Sequence, residues 1–229
     1  MTVKSDNLIG LKKAALVRFI SGFLIMGIVL FAAAGTLQYW QAWLYLTVHF
    51  IAVALFLRFL IRKDPELLER RMKIREREKT QKAVILYSVP FYLALFIVPG
   101  LNQRFAWSSV PVWLIVAAVL AALTGYGLFV RVLLENRFAQ RIVEIEREQT
   151  LINTGPYAVV RHPMYSAVFL AFTATPLALG SFWGLLAIPG IIVCLLFRIH
   201  NEEKVLSRGL AGYDEYRRQV RWRIIPGIW

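Results

Sequence analysis

VPVWLIVAAVLAALTGYGLFVRVLL, residues 110–134, runs for 25 positions with a single charged side chain, Arg131. A helix needs about 20 apolar residues to cross a hydrocarbon core about 30 Å thick, so this run is a membrane span. It is apolar on every face, as a helix bathed in lipid must be. Three similar runs precede it: Phe19 to Leu37, Trp40 to Leu57 and Ala83 to Leu101. Two shorter ones follow, Ser166 to Leu179 and Phe182 to Phe197, parted only by Gly180 and Ser181. Each is short for a lone span, and the tight turn between them predicts a helical hairpin packed on the other helices. The expected fold is all-α: a polytopic transmembrane helical bundle of about six passes, ending in a short hairpin.

Composition agrees. Of the 229 residues 58% are hydrophobic, against about 45–50% in a soluble domain. The net charge of +13 is read as basic flanks meeting anionic lipid headgroups, with no nucleic acid as partner. Cys194 is the one cysteine. It has no partner for a disulfide, no Cys/His cluster calls for a metal, and it reads as a small buried hydrophobe.

Orientation follows from the basic residues. Of 27 lysines and arginines, 26 fall before the first span, in the Arg58–Lys82 loop, in the Arg131–Arg161 segment or from Arg198 onward. Arg104 stands alone between the third and fourth runs. Six passes with both termini on the cytoplasmic face satisfy the positive-inside rule. Tyr39, Trp40, Trp43, Trp107, Trp113 and Trp183 then fall at the outer turns as an aromatic belt. The first run is longer than the apolar core of a signal peptide and reads as a retained helix. The charged stretch Arg62–Lys82, with Arg71, Lys73, Arg75, Glu76, Arg77, Glu78 and Lys79, reads as a solvated helix at the membrane surface.

Gly125-Tyr126-Gly127 sits inside the fourth run, where small residues serve helix packing. His49, a lone intramembrane histidine, is expected to be hydrogen-bonded. Two polar clusters are stronger candidates for chemistry. Thr154-Gly155-Pro156-Tyr157-Ala158-Val159-Val160-Arg161-His162-Pro163-Met164-Tyr165 runs into the hairpin. Pro163 suits a first helical turn, whose free amides would make an anion-binding corner beside Arg161 and His162. Arg198, His200, Asn201, Glu202 and Glu203 close the hairpin on the same side. Arg198 and Glu202 share a helix face, as a structural ion pair or as ligand-binding groups. Carboxylates suit a cationic ligand group and the helix start an anionic one.

Gly155-Pro156-Tyr157…Arg161-His162-Pro163-Met164-Tyr165, the hairpin, and Glu202-Glu203-x-x-Leu206 together resemble the isoprenylcysteine carboxyl methyltransferase superfamily, which includes phospholipid methyltransferases. Leu210-Ala211-Gly212-Tyr213-Asp214-Glu215-Tyr216 and Ile225-Pro226-Gly227-Ile228-Trp229 resemble a bacterial branch of it. The resemblance covers roughly Gln149 to Trp229. It divides the chain into N-terminal helices with a basic loop (1–148) and a cofactor-binding core (149–229).

The resemblance implies S-adenosylmethionine as cofactor. It places Gln149, Thr150, Leu151, Ile152 and Tyr157 around that cofactor, with His162, Pro163, Met164 and Tyr165 in contact and Glu202 on a polar end. It puts Arg198 opposite the carboxylate of a lipophilic or lipidated acceptor. A carboxylate is already ionised at neutral pH and needs no base; an amine or thiol would need one, for which Glu203 and His162 are candidates. Leu210-Ala211-Gly212 departs from the Phe-Gly of eukaryotic members, which leaves the acceptor open. The alternatives are an amine-methylating phospholipid enzyme, a nicotinamide-dependent membrane reductase sharing the Arg-His-Pro-x-Tyr string, and a non-enzymatic membrane protein.

Overall fold

The computed structural model describes residues 5–72, 79–138 and 149–229. Among these, the regular elements are all helical: α1 (Ser5–Ala34), α2 (Trp40–Lys63), α3 (Pro65–Met72), α4 (Lys79–Phe105), α5 (Val112–Glu135), α6 (Pro163–Ala178), α7 (Ile188–Gly209) and α8 (Tyr213–Gln219). Tight 3-10 turns at Gly155–Ala158 and Trp183–Ala187 lead into α6 and α7. Five segments are long and apolar enough to cross a membrane: Ile9–Ala34, Trp40–Lys63, Thr80–Phe105, Val112–Glu135 and Trp183–Gly209. The shorter α6 completes the hairpin. This is an integral membrane protein.

The ends of the helices sort into two layers, as alternating passes require. At one end Tyr39 Oη donates to the Leu179 carbonyl, Asn102 Nδ2 donates to the Gly180 carbonyl at 3.3 Å, and the Phe182 amide donates to Ser108 Oγ at 3.3 Å. At the other, Arg18 Nη1 donates to the Met72 carbonyl at 2.7 Å, Arg70 Nη1 to the Arg137 carbonyl at 2.7 Å and Gln81 Nε2 to the Arg198 carbonyl at 3.1 Å. Trp40, Trp43, Trp107, Trp113 and Trp183 are all exposed in the first layer. Tyr39 is not part of that belt: it is buried, because its hydroxyl closes the α6 end of the hairpin.

Without a hydrophobic drive between helices in lipid, close backbone approach has to hold them together. Gly125 supplies it between α5 and α6, where a Cβ would lie 2.9 Å from the Ala167 carbonyl oxygen and 3.1 Å from the Ala171 amide. Gly127, on the other side of α5, faces open space. His49 Nδ1, on α2, is hydrogen-bonded to the hydroxyl of Tyr126 between the two glycines at 2.7 Å, so the histidine has its expected partner. Gly125→Leu is expected to destabilise the bundle by about 1–3 kcal/mol, the usual cost of overpacking, while Gly127→Leu leaves it unchanged. Thermal unfolding of both variants in detergent checks this; equal melting would mean the α5–α6 seam tolerates bulk.

α7 carries the second arm past the apolar run to Gly209, so Arg198 and Glu202 lie on one helix as their spacing requires. Of the charged stretch, Pro65–Met72 forms an amphipathic helix with Leu67 and Leu68 buried; residues 73–78 lie outside the described residues.

Candidate functional site

Chain direction brings the two polar clusters together. Pro163 starts α6 and α7 ends the hairpin, so His162 and Tyr165 meet Glu202 and Glu203. Tyr165 Oη donates to Glu202 Oε2 at 2.6 Å and accepts from Arg198 Nε at 2.7 Å. Arg198 and Glu202 are therefore linked through one phenol. His162, buried, has Nε2 3.4 Å from Glu203 Oε1 and Nδ1 4.0 Å from Glu202 Oε1.

Glu203 occupies a different environment from Glu202. Arg161 Nε donates to Glu203 Oε1 at 2.8 Å and Arg223 Nε to Oε2 at 3.1 Å. The same Arg161 donates Nη1 to the Val220 and Arg221 carbonyls at 2.9 and 3.0 Å. The tail is thereby drawn back over the start of α6: the amides of Arg161 and His162 donate to the carbonyls of Trp222 and Arg223 at 2.9 and 2.8 Å. Ser166 Oγ donates to the Ile224 carbonyl at 2.6 Å.

At the start of α6, where an anion-binding corner is expected, Pro163 has no N–H and the amides of Tyr165 and Ser166 go to the His162 carbonyl, at 2.9 and 3.2 Å. The side chains brought together there are carboxylates, an imidazole and a phenol.

Tyr157 lies between α5 and α8. Asn136 Nδ2 donates to its hydroxyl at 3.0 Å, and Tyr216 Oη donates to its carbonyl at 2.7 Å. Burial pushes the Tyr157 phenol up to about 12, so it stays neutral. Leu151 packs toward the α7–α8 turn, 3.5 Å from where a Gly212 Cβ would be. Thr150 is exposed, and Gln149 and Ile152 are partly buried in the irregular stretch before Gly155. Met164 Sδ receives a contact from Arg71 Nη1 at 3.7 Å.

Beside Tyr165 a cavity of about 470 Å³ opens between α4, α5, α6 and α7. Its walls are mostly apolar, among them Val84, Tyr92, Phe129, Val168 and Phe172, and Arg198 and Arg71 line it too. Cys194 is buried, as expected of a small hydrophobe, and is part of that wall. Tyr165 and Arg198 thus belong both to the cavity and to the polar cluster.

Several participants escape a reading of the sequence alone. Arg161 and Arg223 hold Glu203 from opposite sides of the chain, 62 positions apart. Tyr213 is buried, and its hydroxyl has no hydrogen-bond partner among the described residues. The doublet Glu202-Glu203 against a basic tail was the available signal for the first; nothing in sequence marks the second.

Fold and site define a polytopic helical membrane protein with a polar cluster at one end of a lipid-accessible hairpin. A family model described as phospholipid methyltransferase matches residues 112–211. That match agrees with the resemblance carried by the Arg-His-Pro and Glu-Glu motifs. The match begins at α5, earlier than the motifs alone reached, and ends before the docked tail. The chain is also similar to a Delta(14)-sterol reductase of Methylotuvimicrobium alcaliphilum, 27% identical over 141 residues, covering 53% of this chain and 32% of the reductase. It spans about a third of that relative's length.

Proposed function

We propose that this protein is an S-adenosylmethionine-dependent methyltransferase that acts on a lipophilic acceptor drawn from the membrane, a carboxylate being the acceptor group the site suits best. The observation that carries this is the Arg198–Tyr165–Glu202 link, which joins a polar cluster to an apolar cavity through one hydroxyl. The cofactor fits the cluster. Glu202 suits its ammonium, and the buried, unpartnered Tyr213 hydroxyl is a donor awaiting an acceptor. His162, Met164 and Tyr157 would line it, with the Gln149–Ile152 stretch along its edge. When bound, it supplies a methyl group on a positively charged sulfur.

The chain's own residues then position the acceptor. Arg198, fixed by Tyr165, holds the acceptor's carboxylate at the cavity mouth, and the apolar wall excludes water. The phenol faces of Tyr157 and Tyr165 favour positive charge. Glu203 is better assigned as an anchor than as a general base, since two guanidiniums hold both its oxygens. His162 remains the group for deprotonating an amine or thiol.

A nicotinamide-dependent reductase is the second reading, favoured by the similarity to the sterol reductase. Glu203 is neutralised by arginines, so only Glu202 opposes a dinucleotide's phosphates. Calorimetric titration of detergent-purified protein with S-adenosylhomocysteine and with NADPH separates the two. Binding of the first alone is expected; binding of NADPH alone would overturn the methyltransferase reading.

In this reading the site faces the cytoplasm, with both termini, because the layer holding the cluster also holds nearly all the basic residues among those described. Single cysteines at Glu69, Ser109 and Arg218 on a Cys194→Ala background test it. An impermeant thiol reagent added to intact cells should label Ser109→Cys alone. Labelling of either other site would invert or break the topology.

A further inference from the structure

The tail that crosses the start of α6 closes on itself. The Trp229 carbonyl accepts from the amides of Arg223, Ile224 and Ile225 at 2.9, 3.0 and 3.2 Å, and the Trp229 amide donates to the Ile225 carbonyl at 3.1 Å. Gly227, at φ +83°, takes the left-handed position that this closure needs. The Trp229 side chain is thereby packed against the core of α4, α6 and α7. Its other role is to carry the Arg223 guanidinium, which lies 4.8 Å from the ring centre. A planar guanidinium stacked on an aromatic face has its direction set before it meets an acceptor.

That direction matters because Arg223 Nε donates to Glu203 Oε2 while Arg161 Nε donates to Oε1. With a donor on each oxygen, the carboxylate cannot rotate freely. His162 stands between two carboxylates, with Nε2 3.4 Å from Glu203 Oε1 and Nδ1 4.0 Å from Glu202 Oε1. Glu203, ionised between two guanidiniums, can only accept. It keeps the imidazole proton on the nearer nitrogen, Nε2, and leaves Nδ1 turned to Glu202. We infer that Trp229 is a positioning residue: it holds Arg223 on Glu203, and through Glu203 it fixes His162 with Nε2–H on that carboxylate and Nδ1 toward the cluster assigned to the cofactor. Trp229 and Arg223 both lie beyond the segment 112–211 that matches the methyltransferase family. The role of Nδ1 rests on the methyltransferase reading, whereas the order of contacts from Trp229 to His162 does not. For an amine or thiol acceptor, Nδ1 receives the proton released as the acceptor's nitrogen or sulfur takes the methyl group and the sulfonium becomes a neutral thioether.

The test uses the full chain in phosphatidylcholine nanodiscs, with nitrogen-15 in the histidine rings. The chain has three histidines, and His162 is assigned by its absence from the spectrum of His162→Gln. At alkaline pH, where imidazoles are neutral, ring-nitrogen shifts report which nitrogen holds the proton. The unaltered protein should show one His162 tautomer, protonated on Nε2. Trp229→Phe keeps a face for Arg223 and should retain that tautomer. Trp229→Leu keeps an apolar contact with the core but loses the face, and should give a mixture of both. Arg223→Gln should reproduce the Trp229→Leu spectrum, and the two changes combined should add nothing, as expected of residues acting in series. Ring-fluorinated tryptophan at position 229 keeps the shape and weakens the attraction for a cation, so it should also mix the tautomers even where Trp229→Leu fails to fold. S-adenosylhomocysteine affinity in the same discs should fall about two- to fivefold in Trp229→Leu, what a cation–π contact at a partly exposed site contributes, and hold in Trp229→Phe. An Nδ1-protonated His162 in the unaltered protein overturns the inference. So do matching spectra for Trp229→Leu and Trp229→Phe, an unmixed tautomer with fluorinated tryptophan, or additive changes in the double variant. Mixed tautomers with unchanged affinity overturn the link to the cofactor cluster. Absence of S-adenosylhomocysteine binding from the unaltered protein defeats the methyltransferase reading separately and leaves the tautomers to decide the positioning role.

Discussion

Glu203→Ala is expected to lower stability by about 3–5 kcal/mol, the cost of breaking a buried ion pair by removing one partner, and to release the C-terminal tail. Glu203 is 4% exposed and Arg161 8%. Arg161 approaches one carboxylate oxygen and Arg223 the other, so the alanine variant leaves two guanidiniums facing each other without an anion. The two backbone hydrogen bonds from Arg161 and His162 to the tail hold Trp222 and Arg223 in the geometry that this pairing needs. Glu203→Gln keeps an acceptor for Arg161 and should cost less than alanine. Arg217, Arg218, Arg221 and Arg223 give trypsin four sites in the tail. Cleavage there should be faster in Glu203→Ala, alongside a lower melting temperature. An unchanged melt and digestion pattern would show that backbone pairing alone secures the tail.

Most of the architecture was legible because lipid imposes a simple rule. A segment that crosses must be apolar for its whole length and must satisfy its own backbone, so a run such as residues 110–134 can hardly be anything but a spanning helix. The apolar run ends at Arg198 but the helix does not, and there the four-residue spacing of Arg198 and Glu202 was the signal that it continues. The site was legible only where its residues are neighbours in sequence or one helical turn apart. His162, Tyr165, Glu202 and Arg198 could be nominated in that way. The pairing of Arg161 and Arg223 with Glu203 could not, because it depends on the tail folding back. Arg71 illustrates the opposite error. It sits in a strongly charged stretch that reads as solvated, yet one side chain of that stretch turns inward to line the cavity. Charge density along the chain describes the average residue of such a loop and hides the exception.

The remaining large effect separates Glu202 from Arg198. If they formed a plain ion pair, replacing either would cost the same, and little where solvent reaches them. The structure instead places the Tyr165 hydroxyl between them, donating to Glu202 Oε2 at 2.6 Å and accepting from Arg198 Nε at 2.7 Å. Glu202 is the member that faces the cluster assigned to the cofactor, being 4.0 Å from His162 Nδ1, while Arg198 lines the apolar cavity. Glu202→Gln retains the shape and removes the charge. It should weaken S-adenosylhomocysteine binding by about 1.5–3 kcal/mol, roughly ten- to a hundredfold. Arg198→Ala should leave that affinity within about threefold and reduce turnover, because an acceptor that is not oriented loses transition-state stabilisation. Tyr165→Phe provides the decisive third arm. It removes the donor to Glu202 and the acceptor for Arg198 at once, so it should lower both affinity and turnover, each by less than the charge change does. Cofactor affinity is read by calorimetry for all three variants, beside thermal melts that exclude unfolding. Equal losses for Glu202→Gln and Arg198→Ala would restore the plain ion pair, and an inert Tyr165→Phe would remove the phenol from the mechanism.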